Sequence, residues 1–326
     1  MTPIVKSIAL LLAFSVLPIG SAALGESAFP ARPITMIVPF AAGGPTDVTA
    51  RILAGHMSHK LGQPVVIENV LGEAGQLAVL RTMQAAPDGY TIIMGHMGTH
   101  GAAPAFYPEL KYDPVNDFAP VGLAAGTPIV IVANKRIPAH DLQSFVRYVR
   151  EKGDALKMAH AGTGSVSHST GALLNSVLGL GPTLVEYNGT GPALNDLVQG
   201  KVDIMTDQIV NVAPKIEAGA INALAIATLE RSPALPDVPT TWQAGFPQYA
   251  VSAWNGVFAP AATPKDIVAK LNAALTSALD DENTRKRLLD LGAVLPEKAA
   301  RSPEALRKLV ENEISLWRSV TAAYAK

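Results

Sequence analysis

The amino-acid sequence predicts an α/β protein with two lobes, and three observations support this fold class. Apolar strand patterns alternate with helix patterns through most of the chain, which is typical of parallel sheets covered by helices. Two proline-rich connections, at 104–128 and 228–249, separate one set of alternating elements from a second set and from the C-terminal region. Two long helix patterns then close the chain. A chain that crosses twice between lobes makes a hinge, and the cleft between the lobes is a natural ligand site.

The N-terminus has the three-part order of a secretory signal peptide. Lys6 supplies a positive charge, an apolar run follows at 8–17, and small residues at 20–23 suit cleavage near Ala22 or Ala23. The apolar run is too short to span a bilayer, and a buried N-terminal helix is the alternative interpretation. No later segment reaches about 18 consecutive apolar residues, so we expect a soluble protein exported to a bacterial periplasm.

These boundaries predict the domain organisation. We expect the chain to enter the second lobe near residue 125 and to return to the first near residue 230. The predicted parts are a signal peptide at 1–23, the first part of lobe 1 at 24–124, lobe 2 at 125–229, and a return to lobe 1 with the C-terminal helices at 230–326.

The first set of elements begins directly after the signal peptide. Buried strand patterns lie at 33–40 and 64–70, and a turn at 88–95 enters a third strand. Helix patterns follow the first two strands, around Val48 and from Gln76 to Ala85. The stretch 104–128 has few clear periods, so we expect an ordered connection there.

The second set repeats this alternation. Its clearest helix has apolar side chains at helical spacing from Val166 to Leu178, with Gly179 at the position where a helix end favours a left-handed residue. The strand patterns lie at 128–134, 156–162, 183–189, 202–208 and 221–228, and the other helix patterns at 142–153 and 192–200.

An apolar stretch at 251–261 follows the second connection and leads to the two closing helices. Each helix begins with a hydroxyl residue before a proline, at Thr263 and at Ser302, and has an acidic residue in its first turn. These signatures locate helix starts and carry no information about function.

Composition excludes several classes of function. The chain of 326 residues has 26 basic and 27 acidic residues and a formal net charge of −1, so it lacks the basic field that nucleic-acid binding requires. It has no cysteine, which excludes disulfides, thiolate catalysis and zinc sites built on cysteine.

Four loops of one kind follow predicted strands, at 40–47, 95–102, 160–168 and 187–193. Each combines glycine with hydroxyl side chains, and none contains Arg or Lys. Backbone N–H groups and the positive ends of helix dipoles at such loops bind carboxylate or phosphate. Any one loop alone is most simply an ordinary turn. Four of them, two in each predicted lobe, favour a ligand site at the carboxyl ends of the strands.

Two aspartates in this region allow two interpretations each. Asp47 stands near N3 of the first helix, where a carboxylate stabilises the helix start. This structural role is favoured because an ionised Asp would repel an anionic ligand, whereas the alternative is contact with the ammonium group of an amino acid. Asp207 ends a strand pattern and leaves the same alternatives open.

The motifs of the common enzyme classes are missing from these loops. The first loop does not match the P-loop pattern, and Ser167 stands where a dinucleotide motif needs its third glycine. His96 and His100 do not form a zinc motif on one helix, and Ser165 lies outside a G-x-S-x-G sequence, so a helix N-cap is its simpler role. We therefore predict no catalytic residue, no metal and no cofactor.

Taken together, the motifs resemble one family in collinear order over nearly all of the mature chain. The chain resembles the Bug-type substrate-binding receptors of tripartite tricarboxylate transporters. The segments that carry the resemblance are "FPARPITMIVPFAAGGPTDVTARILA" (29–54), "APDGYTIIMG" (86–95), "YDPVNDFAPVGL" (112–123), "GTGSVSH" (162–168), "EYNGTGPALNDLVQGKVDIM" (186–205), "AGAINALAIAT" (218–228) and "WNGVFAPAATP" (254–264).

The resemblance implies a two-lobed periplasmic binding protein of the flytrap type, with two crossover connections and long C-terminal helices. It also implies a small carboxylate ligand held in the interlobe cleft without chemistry and delivered to large and small membrane permease subunits. We expect a monomer. The ligands of the family include tricarboxylates, dicarboxylates, acidic amino acids and aromatic acids, so membership does not choose among them.

The ligand loops of the family can be carried over to this sequence residue by residue. The sequence departs from the family at Asn188, where a basic residue often follows the tyrosine, and in the first loop at Ala41, Ala42 and Pro45. The carried-over positions are Gly43, Gly44, Thr46, Asp47, Thr99, His100, Thr163, Gly164, Ser165, His168, Tyr187, Gly189 and Thr190, to which the strand-end Asp207 is added.

Three functions remain open at this point. The first is a periplasmic receptor that supplies a transporter, and the second is a receptor that presents its ligand to a membrane sensor. The third is a secreted α/β hydrolase that uses the same cleft, which the missing nucleophile motif disfavours.

Overall fold

The computed structural model describes residues 29–152 and 155–324. The predicted signal peptide at 1–23 lies outside these residues. None of the helices in the described part has both the length and the apolar composition needed to cross a bilayer.

The first half of the molecule is a parallel β/α arrangement. The central strand β1 is buried and apolar and pairs in parallel with β2 on one side and with β3 on the other. Helix α1 has proline at its first position and ends at Leu61, where the next residue, Gly62, has a left-handed φ of 69°. The bounds are β1 Ile34–Val38, α1 Pro45–Leu61, β2 Val65–Asn69, α2 Gln76–Met83, β3 Thr91–His96 and α3 Ala103–Phe106.

The prediction of a connection without strands at 104–128 is wrong for residues 118–128. Phe118–Asn134 forms one continuous strand of 17 residues, β4, which passes from the first half of the molecule into the second. Its prolines and glycines hide the strand pattern in the sequence. The register of β4 against its neighbour shifts between Pro120 and Gly122 and again between Leu123 and Ala125.

The second half contains parallel strands with helices between them. Strand β5 pairs in parallel with the edge strand β6 and with β7. The end of β4 runs antiparallel to β7 and to β8, so the sheet is mixed where parallel pairing alone was expected. Helix α7 was not predicted. The bounds are α4 Leu142–Lys152, β5 Lys157–His160, α5 Val166–Leu178, β6 Thr183–Glu186, α6 Thr190–Gln199, β7 Ile204–Gln208, α7 Ile209–Glu217 and β8 Ile221–Ile226.

The chain returns through a second long strand, β9 (Ser252–Pro260), which is antiparallel to β3 on one side and to β4 on the other. The described strands therefore form one continuous sheet in the order β2-β1-β3-β9-β4-β7-β5-β6, with β8 beside β4. The two crossings between halves are made by strands β4 and β9.

Three helices close the described chain, where two were expected: α8 (Lys265–Asp280), α9 (Glu282–Asp290) and α10 (Pro303–Tyr324). The additional helix α9 begins because the Asp281 side chain accepts a hydrogen bond from the Thr284 N–H at 2.8 Å. A single carboxylate cap thus ends one helical run and starts the next.

The core lies on both faces of the sheet. Along β4, Val130 and Val132 belong to one buried apolar cluster, whereas Ile129 and Ile131 belong to the other. This burial on both faces explains why the strand patterns in the sequence read as continuous apolar runs.

Candidate ligand-binding site

A cavity lies between the two halves, at the ends of β1, β3, β5 and β7. Its volume is about 330 Å³, including the space open to solvent. The predicted residues that line it are Gly44, Thr46, Asp47, Ser165, Thr190 and Asp207. The lining residues that the sequence did not single out as ligand contacts are Phe40, Pro45, His96, Ala161, Val166, Ser167 and Gln208.

Four helices begin at this cavity, and the last of them, α7, follows the lining residue Gln208. Helix α1 follows Gly44 and helix α6 follows Gly189, and neither has a side-chain cap. Helix α5 begins after Ser165, whose side chain accepts a hydrogen bond from the His168 N–H at 3.2 Å, as the sequence predicted. Helix N-termini attract anions, and no Lys or Arg is among the described residues that line the cavity. The wall therefore offers partial positive charge without a cation.

Asp47 is held by the helix start that contains it. One carboxylate oxygen accepts hydrogen bonds from the Gly43 N–H and from Arg51 Nε, both at 2.9 Å, and the other accepts one from Asn69 Nδ2 at 3.0 Å. Burial raises the pKa of Asp47, but the hydrogen bonds from Arg51, Gly43 and Asn69 outweigh it, so the pKa lies below its ordinary value. The carboxylate is thus ionised and already paired, which matches the structural role that the sequence favours.

Asp207 is in a different environment, although it lines the same cavity. It is 0% exposed, and its oxygens accept hydrogen bonds from the Gln208 N–H at 2.8 Å and from Asn211 Nδ2. Burial raises the pKa of Asp207 to about 7, against the opposing effect of hydrogen bonds from Asn211, Gln208 and Thr190. This carboxyl group therefore changes charge close to neutral pH.

His96 supplies a hydrogen-bond donor that the sequence analysis weighed only as a metal ligand. Its Nδ1 accepts hydrogen bonds from the N–H groups of Gly98 at 2.8 Å and Thr99 at 3.4 Å, so the proton of the neutral ring is on Nε2. Nε2 is buried and has no hydrogen-bond partner, and burial lowers the pKa of His96 to about 3. The ring is a neutral donor with a fixed tautomer in the cavity wall.

Gln208 connects the cavity to both crossing strands. Its Oε1 accepts hydrogen bonds from Thr127 Oγ1 in β4 at 2.6 Å and from Asn255 Nδ2 in β9 at 3.3 Å. A cavity-lining side chain is therefore bonded to the two strands that join the halves. No sequence motif pointed to it, because its partners lie far away along the chain.

Thr99 and His100 do not line this cavity and support the loop from behind. Thr99 Oγ1 lies 2.9 Å from His100 Nδ1, and the His100 ring stacks on Phe258 with 4.0 Å between centroids. Burial, with a smaller effect of His96, lowers the pKa of His100 to about 3. Both side chains pack the base of the loop that presents His96.

The remaining second-half candidates also lie outside the cavity lining. The carbonyl of Thr163 accepts a hydrogen bond from the Tyr107 hydroxyl, and the Gly164 N–H donates to His168 Nδ1 at 3.2 Å. Tyr187 donates its hydroxyl to Asp196 at 3.0 Å. These contacts order the loops around the cavity.

The loops from opposite halves are in backbone contact where Ala41 meets Asn188 and Gly189. The Ala41 N–H donates to the Asn188 carbonyl at 3.3 Å, and a Cβ built on Gly189 would lie 3.1 Å from the Ala41 nitrogen. A Cβ on Gly191 would lie 3.1 Å from the Ala42 oxygen. Glycine at these positions lets the two walls approach each other closely, so the cleft is closed.

A family model described as "Tripartite tricarboxylate transporter family receptor" (TctC) matches residues 49–324. The chain belongs to this family. Its members are substrate-binding proteins, so the receptor is not an enzyme. The hydrolase and the sensor-presenting receptor find no support in the comparisons.

Three solved structures resemble the receptor over 90% of its chain. MatC (Rpa3494) from Rhodopseudomonas palustris with bound malate is 52% identical, is covered over 100% of its length and has a TM-score of 0.88. The periplasmic binding protein BugD is 38% identical over 98% of its length, with a TM-score of 0.88. The R. palustris protein Rpa4515 with adipate is 35% identical over 98% of its length, with a TM-score of 0.86. The two-lobed periplasmic binding protein fold predicted for the receptor is confirmed.

The described residues contain no cluster of three or more His, Asp or Glu side chains arranged to hold a metal ion. The prediction of a receptor for a tripartite transporter is confirmed by the family. The residues that contact the ligand, the domain boundaries and the permease partners remain predictions.

Proposed function

We propose that the receptor captures a small dicarboxylate in the cavity between its halves and delivers it to the membrane permease of a tripartite transporter. One observation carries this proposal: the cavity collects four helix N-termini and neutral donors and has no cation among its described lining residues. Such a site attracts a carboxylate without forming an ion pair, so the ligand is released again when the halves separate.

The ligand class is supported by the similar proteins. MatC contains malate and Rpa4515 contains adipate, and both resemble the receptor over most of its chain. A dicarboxylate with four to six carbons therefore fits the proposal better than the tricarboxylates and aromatic acids that the resemblance left open. The higher identity to MatC favours the shorter, malate-like acid.

We assign the binding roles as follows. The N–H groups that open α1 and α6, at Thr46 and Thr190, together with Ser165, hold carboxylate oxygens. His96 Nε2 donates a further hydrogen bond, which would pair an atom that otherwise has no partner. Gln208 connects the ligand cavity to β4 and β9 through its two hydrogen bonds, so that ligand binding and movement of the two halves are coupled.

The cellular setting belongs to the same proposal. We infer that residues 1–23 direct export, that the mature receptor is a periplasmic monomer, and that its partners are the large and small permease subunits. The lobes would comprise 24–124 with 230–326, and 125–229.

A thermal-shift screen of the chain without residues 1–23 tests this function. Malate, succinate and adipate are compared with benzoate, glucose and magnesium chloride. A dicarboxylate present at about 1,000 times its Kd should stabilise the folded state by about 4 kcal/mol. The proposal is wrong if glucose or magnesium raises the melting temperature while no organic acid does. Titration calorimetry then ranks the acids, and malate is expected to bind most tightly.

A further inference from the structure

The second aspartate of the cavity is placed where a ligand carboxylate must come close to it. Asp207 ends β7, lies opposite Val130 of β4 in the sheet, and lines the cavity together with Thr190. It is fully buried, so water does not screen its charge from a ligand in the cavity.

No cation compensates the charge of Asp207. Its hydrogen-bond donors are the neutral Gln208 N–H and the Asn211 amide, and its pKa is set by burial and by neutral hydrogen bonds, with no contribution from a charged side chain. Strand β4 has no titratable residue. The titratable side chains on the other elements packed around β7 or lining the cavity are Asp47 and Arg51 (α1), His96 (β3), Lys157 and His160 (β5), His168 (α5), Asp196 (α6), and Lys215 and Glu217 (α7), to which α1 adds His56, His59 and Lys60 outside the cavity lining.

Those groups do not balance a second negative charge in the cavity. Asp47 is ionised and its charge is matched by Arg51, and burial keeps His96, His160 and His168 neutral at neutral pH by lowering the pKa of each. Lys215 lines a separate groove, beyond Asn211. An ionised Asp207 would therefore face a ligand carboxylate without compensation, and two carboxyl groups that share such a site hold one proton between them.

We propose that Asp207 is protonated when a dicarboxylate is bound, taking up a proton wherever it is ionised in the free protein, and donates this proton in a hydrogen bond to a ligand carboxylate. The proton comes from solvent on binding and returns to solvent on release. Asp207 then selects ligands with an acceptor oxygen at this position over ligands with an ammonium group. The inference rests on the proposed function and adds to it the protonation state of the complex.

The size of the effect follows from the free protein. With a pKa of about 7, Asp207 is about 90% protonated at pH 6 and about 10% protonated at pH 8. If only the protonated form binds, the apparent Kd for malate rises about tenfold between these pH values. Malate is fully ionised at pH 8, so its own titration does not contribute there, whereas at pH 6 a small fraction of its second carboxyl group is still protonated and has to be subtracted.

Titration calorimetry with malate, in two buffers of different ionisation enthalpy, counts the protons directly. We expect uptake of about 0.9 proton at pH 8 and almost none at pH 6. This measurement uses the unmodified protein and does not depend on the folding of a variant. Tight malate binding without proton uptake, and with the same Kd at both pH values, would overturn the inference and leave the proposed function intact.

Two variants assign the proton to its residue. Asp207→Asn replaces the carboxyl group with a neutral amide, which can still donate a hydrogen bond. This variant should bind malate with a Kd that changes less than twofold from pH 6 to pH 8. The matched control is Glu313→Gln, because the Glu313 pKa is also raised by burial, but the residue lies on α10 against Trp317 and outside the cavity lining. The control should keep the tenfold change. A pH dependence that persists in Asp207→Asn would contradict the assignment.

The free amino acid aspartate, used as a ligand, tests the alternative that Asp207 is ionised in the complex. This dicarboxylate has an ammonium group, which an ionised Asp207 would bind. Proton release, with affinity that rises toward pH 8, would show that Asp207 acts as an anion and would refute the inference. If no organic acid binds at either pH, the proposed function fails, and this inference fails with it.

Discussion

The unliganded receptor should lose stability through Asp207 as pH rises, and Asp207→Asn isolates this contribution. The folded-state pKa of about 7 lies above the ordinary pKa of 3.8 for an aspartate side chain. A group with a raised folded-state pKa contributes stability that is fully present below its unfolded pKa and is lost as pH rises through its folded pKa. The loss therefore falls between about pH 4 and pH 8.

Its magnitude follows from proton linkage. A pKa difference of about 3 units corresponds to about 4 kcal/mol over the whole range, at about 1.4 kcal/mol per unit. Between pH 5 and pH 8 the folded state loses most of one proton and the unfolded state loses almost none. The Asp207 contribution to the free energy of unfolding should thus fall by about 2–3 kcal/mol across this interval.

Urea unfolding of the native chain and of Asp207→Asn at pH 5, 6, 7 and 8 measures this change. The comparison is necessary because buried histidines act in the opposite direction: their pKa values are lowered by burial, so stability rises as pH approaches 7. That effect is common to both proteins and cancels in their difference. The histidines concerned are His96, His100, His160 and His168. A difference between the two proteins that stays constant within about 0.5 kcal/mol from pH 5 to pH 8 would refute the reasoning.

Three further predictions concern the walls of the cleft. Gly191→Ala should weaken malate binding at least severalfold in calorimetry, because the new Cβ would lie 3.1–3.3 Å from backbone atoms of the first half. The control is Gly55→Ala, whose Cβ would have no atom within 4 Å, and it should bind malate as the native protein does. Equal affinity of the two variants would exclude a tightly closed complex. His96→Phe should cost about 1–3 kcal/mol of binding free energy because the Nε2 donor is lost, and it should also lower stability because the Gly98 and Thr99 N–H groups lose their acceptor. A loss of stability with unchanged affinity would contradict the role of His96 as a ligand donor. Arg51→Met should lower the free energy of unfolding, measured in urea at pH 7, by about 1–2 kcal/mol, because it leaves the buried Asp47 without its cation. An unchanged free energy of unfolding would show that solvent fully screens the Arg51–Asp47 ion pair.

The sequence predicted local features better than long-range ones. The α5 cap at Ser165 and its left-handed end at Gly179 depend on neighbouring residues, and the structure confirms both. The strand β4 was missed in its first part because prolines and glycines interrupt its apolar pattern, while its pairing with β9 depends on residues more than 100 positions away. Sequence patterns report local periodicity and carry little information about such partners.

The same distinction applies to the candidate site. The four loops were found because glycine and hydroxyl residues at helix starts have a local cause, and six of the predicted residues meet at one cavity. His96 was not recognised as a donor because its tautomer depends on two backbone N–H groups that only the folded loop presents. The difference between Asp47 and Asp207 was also invisible, since it comes from Arg51 on one side and from complete burial on the other.

The long strand β4 has a consequence for the order in which the chain can fold. Each half of the sheet needs part of β4, and the first half also needs β9, which ends at Pro260. The strands of the second half lie in one continuous segment, whereas the first half cannot close its sheet before about four-fifths of the chain is present. Pairing over such distances along the chain makes folding slow. A late, cooperative closure would keep a newly made chain unfolded for longer, which suits export directed by the signal peptide that we propose at 1–23.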